Sequence, residues 1–127
     1  MAASVGVVGV VLAGTGSAVA GTEESGSQSC REGSRSGTTT TAGALLFYDI
    51  CIEAYGANIN LYLEDRAKDG RRAEAWLVTG INEYELFEVT GGVDDWDTYW
   101  HFDQEATVRV KVCTSDADID RRCARPV

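Results

Sequence analysis

Proline is nearly absent from this chain of 127 residues, the one example being Pro126. A polypeptide without interior proline loses no ladder hydrogen bond to it, so paired strands can run unbroken. Histidine is equally scarce: His101 stands alone, and neither Gly-x-Ser-x-Gly nor His-Glu-x-x-His occurs. The local signatures of a hydrolase elbow and of a zinc peptidase are therefore missing. Basic residues are few, eleven Lys and Arg against twenty Asp and Glu, giving a net charge of −9. Phosphate backbones and anionic lipid surfaces are held by clustered Lys and Arg, so neither nucleic acid nor such a surface is an expected partner. The acidic balance serves solubility instead. Nor is there an apolar run long enough to cross a bilayer, which takes about 20 residues.

What the chain does have begins at its start. Residues 1–20 carry no charge, run apolar over 5–13 and finish Ala18-Val19-Ala20, the small-x-small pattern of a cleaved signal peptide. Cleavage is expected after Ala20. The missing Lys or Arg before Val5 suggests a start upstream of Met1. About 107 residues then remain, the size of one domain with one modest core. Four cysteines, Cys30, Cys51, Cys113 and Cys123, in an exported chain of this size predict two disulfides, with three connectivities open. Short loops favour Cys30 with Cys51 and Cys113 with Cys123. No Cys-x-x-Cys is present and His101 is far in sequence from every cysteine, so no zinc site and no cofactor is expected.

Residues 21–42 are Gly, Ser and Thr with a few charges, and predict a flexible leader to a domain over 43–127. Within it the clearest strand is 107–113, where Val108, Val110 and Val112 alternate with Thr107, Arg109, Lys111 and Cys113. In 45–53 the first half is apolar on both faces and the second alternates; 58–64 and 71–79 also alternate, with a tight reversal expected at Asp69-Gly70. A helix over 63–77 is the rival, but Gly70 falls in its middle. A strand over 84–89 has ambiguous register, a loop follows to 97, and 98–103 is a further strand. Residues 115–122 predict a charged loop and 124–127 a frayed tail. About six strands at this spacing predict an all-β fold, a small antiparallel β-sandwich or a partly open barrel.

Three places could carry function. The first is an aromatic and acidic surface: Asp95, Trp96, Asp97, Tyr99 and His101, with Asp94 and Trp100 beside them. Aromatic rings stack on sugars or anchor protein partners while carboxylates accept hydrogen bonds. Trp96, among three aspartates, is the ring least readily assigned to the core, whereas Trp100 and Phe102 would fill it. The second is the array Asp116, Asp118, Asp120, which resembles a calcium loop; the positions that need Gly and Glu hold Arg121 and Val127, so no metal is expected. The third is Arg121-Arg122 in the loop between Cys113 and Cys123, a basic bait that an inhibitor of an extracellular hydrolase could present.

Arginine outnumbering lysine, the Ala18-Val19-Ala20 site and the ending Val-Arg-Val-Lys-Val-Cys with a short loop to Cys123 look like the small secreted two-disulfide β proteins of actinobacteria. That resemblance implies location and fold and transfers no site residues. The expectation is a secreted, monomeric, non-enzymatic binding module for an extracellular protein or glycan, acting through the surface near Trp96. The alternative is a hydrolase inhibitor acting through 114–122.

Overall fold

The computed structural model describes residues 30–127. The expected signal peptide, 1–20, and the first part of the leader, 21–29, lie outside the described residues. Between Glu32 and Val127 the chain forms β1 (Arg35–Thr41), β2 (Ala44–Glu53), β3 (Gly56–Asp65), β4 (Arg72–Thr79), β5 (Asn82–Val89), β6 (Trp96–Asp103), β7 (Val108–Asp116) and β8 (Ile119–Cys123). These strands make two four-stranded antiparallel sheets, ordered β1-β2-β3-β6 and β5-β4-β7-β8. The fold is thus the expected all-β sandwich and not a closed barrel.

Successive side chains leave a strand on opposite faces, so each strand with an apolar set at period two gives one side to the core. Leu46, Ile50, Ile59, Leu61 and Leu63 come from the first sheet, and Ala73, Ala75, Leu77, Val108, Val110 and Val112 from the second; all are buried in one cluster. Register keeps the sets together: Ile50 lies opposite Ile59 and Leu46 opposite Leu63, while Ala75 faces Val112 and Leu77 faces Val110. Gly56 has φ +150, and a Cβ there would collide with the carbonyl of Asp103, so glycine lets β6 close on the start of β3.

Four expectations are corrected. The leader expected to reach 42 becomes a strand at Arg35, because the β-branched threonines at 38–41 pair with residues 44–47, the rest of β1 pairs on to Ile50, and the Arg35 guanidinium donates to the carbonyls of Val108 and Val127. The charged loop 115–122 contains β8, zipped to β7. The tail is not frayed: Ala124 N–H donates to Val112, and Val127 exchanges hydrogen bonds with Val110. Finally, the turn at Asp69-Gly70 does not join a hairpin, since β3 and β4 belong to different sheets. The ambiguous register of 84–89 has its cause in a β-bulge, where Ala75 pairs with Phe87 but Trp76 pairs with Glu85.

All four cysteines are oxidised. Cys113 is bonded to Cys123, directly opposite it on β8 with Cα atoms 4.0 Å apart, and Cys30 and Cys51 are each disulfide-bonded. Two disulfides fit an oxidising environment. Among the described residues no helix is long and apolar enough to cross a membrane.

Candidate functional site: an open aromatic sheet face

The outward face of the first sheet is set by strand parity. Register places Trp96 beside Glu64, Thr98 beside Tyr62, Trp100 beside Asn60 and Phe102 beside Asn58. On the next strand Phe47 lies beside Tyr62, Asp49 beside Asn60 and Cys51 beside Asn58. On β2 and β3 the alternate residues Leu46, Ile50, Ile59, Leu61 and Leu63 are buried in the core, so the positions between them, with their β6 partners, share the solvent side. Trp100 is 60% exposed, Trp96 57%, Phe47 44% and Phe102 37%. Trp100 and Phe102, expected in the core, are therefore on the surface.

The rings are held before anything binds. Trp96 stacks on Tyr62 with centroids 5.6 Å apart, and the Tyr62 hydroxyl donates to Glu64 at 3.3 Å. The Trp100 indole N–H donates to Asn58 Oδ1 at 3.1 Å, and the Asn58 amide in turn donates to Glu53. A groove of about 340 Å³ crosses the face, with Phe47, Tyr62 and Thr98 on one side and Asp49, Asn60 and Trp100 on the other. Asp49 is exposed there. The arrangement offers flat apolar surfaces edged by hydrogen-bonding groups, and so can stack and orient a ligand.

Of the residues expected at this site, Trp96 takes an outward position on that face, and Tyr99, although on the other parity, also lines the groove. Asp97, Tyr99 and His101 sit beside Leu63, Leu61 and Ile59 on the side turned toward the second sheet. Asp97 accepts from the Thr98 N–H, Tyr99 stacks on Phe87 at 5.2 Å, and His101 Nε2 lies 3.4 Å from Asp103 Oδ2. Asp95 accepts from the Gly91 N–H at 3.0 Å and closes its own loop. The structure divides the expected cluster because neighbours in sequence along a strand point opposite ways. Sequence reasoning missed Phe47, Asp49, Asn58, Asn60 and Tyr62, and placed Trp100, named beside the surface, in the core; the usable signal was the first half of 45–53, apolar on both sides where one sufficed.

The second sheet's outer face is built differently. Glu74 is fully buried there, and its carboxylate accepts from Arg121 Nε at 2.7 Å and Nη2 at 3.1 Å, Ser115 Oγ at 2.5 Å, the Trp76 indole at 3.0 Å and Arg72 Nε at 3.2 Å. Burial pushes this carboxyl up, but the hydrogen bonds from Arg121, Ser115, Trp76 and Arg72 outweigh it and hold it at about 2. Arg121 and Lys111 also flank the Trp76 ring, at 4.8 and 5.6 Å from its centroid. Nearby, burial and then the hydrogen bond and charge of Glu88, with the charge of Glu74, raise the Glu85 carboxyl to about 7. Oxygens of Glu74, Glu85 and Glu88 all lie within 4.8 Å of one another.

That network absorbs the other two expected sites. Arg121 is turned to Glu74 and Asp118; Arg122 is exposed and pairs with Asp120 at 2.6 Å. Asp118 is held below the usual carboxylate range first by its hydrogen bond from Arg72, and Asp120 first by that from Arg122. The Asp116, Asp118, Asp120 array is thus a β7–β8 turn, with Ala117 and Asp118 at positive φ, whose last two carboxylates serve arginines.

Fold and face together define a class: a disulfide-bonded β-sandwich with one sheet face left open and aromatic. No family model matches the chain, and no curated protein or solved structure is significantly similar to it.

Proposed function

We propose that this protein is a secreted, non-enzymatic binding module whose binding surface is the outer face of the first sheet, centred on Trp96 and Trp100. One observation carries the reading: four large rings on a single sheet face stay open to solvent, although burying them would stabilise a domain this small. Strands and side-chain hydrogen bonds fix them, which lowers the ordering cost of binding. The disulfides and the uncharged start ending at Ala20 support export. A hydrolase inhibitor acting through 114–122 has less support, because Arg121 is already spent on Glu74.

The test is a double variant, Trp96→Ala with Trp100→Ala, compared with the parent on immobilised glycans and on extracellular protein fractions. Its melting temperature should stay within a few degrees of the parent's while binding is lost. Unchanged binding by the folded variant would refute the reading.

A further inference from the structure

We infer that the ligand of this face is an uncharged oligosaccharide or polysaccharide, with its chain crossing the strands in the groove between Tyr62 and Trp100. The inference rests on the reading of the face as a binding surface and names the chemistry it takes. Its first support is the composition of the two rows that wall the groove. Phe47, Tyr62 and Thr98 form one row, and Asp49, Asn60 and Trp100 the next, so each wall combines a ring with a hydrogen-bonding group. A pyranose ring has the matching pair of surfaces, a C–H face that stacks and a rim of hydroxyls that both donate and accept. Asp49 and Asn60 are placed to take hydroxyl hydrogens, and the Asn60 amide and Thr98 hydroxyl can also donate. A protein partner would bury Asp49 at the centre of its contact, where interfaces are depleted of charge.

Charge is the second support. The outward strand positions of β2, β3 and β6 hold Asp49, Glu53 and Glu64 and no Lys or Arg. Glu53 is engaged with Asn58, and Glu64 with Tyr62 and, at 4.0 Å, Arg66. Asp49 is thus the carboxylate on the groove itself. An anionic chain, whether sulfated, phosphorylated or built of uronic acids, would meet the Asp49 charge in a groove lined by no Lys or Arg. Third, the groove is shallow and crosses the sheet as far as the edge strand β6, and its 340 Å³ is at the small end of ligand sites. This suits a chain presenting a few rings at a time better than an enclosed small molecule.

The experiment is a titration of the full mature protein, followed by 1H–15N spectra, with neutral oligomers derived from β-glucan, xylan, mannan and chitin, and with oligogalacturonate as the anionic probe. At least one neutral oligomer should shift the indole N–H signals of Trp96 and Trp100 while that of Trp76, on the other sheet, stays still. Trp100→Ala should weaken that binding by about tenfold or more, a loss in keeping with one stacked ring. Asp49→Asn, which keeps the shape, should weaken it less, and oligogalacturonate should leave the spectrum unchanged. Silence from every neutral oligomer, or binding of oligogalacturonate in their place, overturns the inference. If a protein partner instead proves to depend on Trp96 and Trp100, the binding face stands and its sugar ligand does not. If neither glycan nor protein binding responds to these tryptophans, both fall together.

Discussion

The two outer faces of this sandwich treat tryptophan in opposite ways. On the second sheet Trp76 lies between Arg121 and Lys111, its indole N–H is given to Glu74, and the surrounding charges close over it. On the first sheet Trp96 and Trp100 are open to solvent, the first stacked on Tyr62 and the second hydrogen-bonded to Asn58. Both faces are polar enough to meet water, so solubility does not explain the difference. Arginine placement does: Arg72 and Arg121 project over the second sheet, while the outward positions of β2, β3 and β6 have no basic residue. Where guanidinium groups are available, a ring and a carboxylate are drawn into a structural network. Where they are withheld, the same residue types remain free for a ligand.

The contrast breaks most severely at Glu74. Glu74→Ala leaves Arg121, Arg72, Ser115 and the Trp76 indole without their shared acceptor, and should cost about 3 to 5 kcal/mol in urea unfolding at pH 7. Because the folded carboxyl sits at about 2 against 4.5 unperturbed, its contribution is complete above about pH 4.5. It is lost as pH falls through about 2, a difference of about 3 kcal/mol that the Glu74→Gln variant should lack. A smaller effect separates the tryptophans. Trp76→Ala should cost about 2 kcal/mol of stability through lost packing and cation–π contact, and Trp100→Ala under about 1 kcal/mol because its ring is mostly in water. Equal costs would mean that the open face is structural after all. The smallest expected effect is at Glu85, whose folded carboxyl is raised to about 7. The stability this gives is present below about pH 4.5 and lost as pH rises through about 7. Glu85→Gln should therefore match the parent at pH 4 and exceed it by about 1 kcal/mol at pH 8 in thermal melts, after discounting for solvent.

Strands that bury one side were legible from sequence, because alternation is a direct image of the pleat: β2, β3, β4 and β7 were each visible in their valines, leucines and isoleucines. The outermost strands β1 and β8 were not, since what holds them is backbone pairing and arginine contacts rather than an apolar set. The candidate site was legible in one residue. Trp96 stood out because aspartates surround it, but its partners on the face come from β2 and β3, brought alongside by register that no local pattern specifies. Parity along β6 was already in the sequence, and it alone would have exchanged Tyr99 and His101 for Trp100.

The bulge opposite Ala75 and Trp76 has a chemical consequence. Glu85 and Glu88 are three residues apart, an odd interval that a regular strand would send to opposite sides; the extra residue between the paired positions brings both beside Glu74. Deleting Leu86 would leave Glu85 and Glu88 an even interval apart, still opposite Trp76 and Glu74, with Phe87 still opposite Ala75, so plain alternation would then keep the two acids on one face. One inserted residue thus lets acids at an odd spacing in sequence share one face of the sheet.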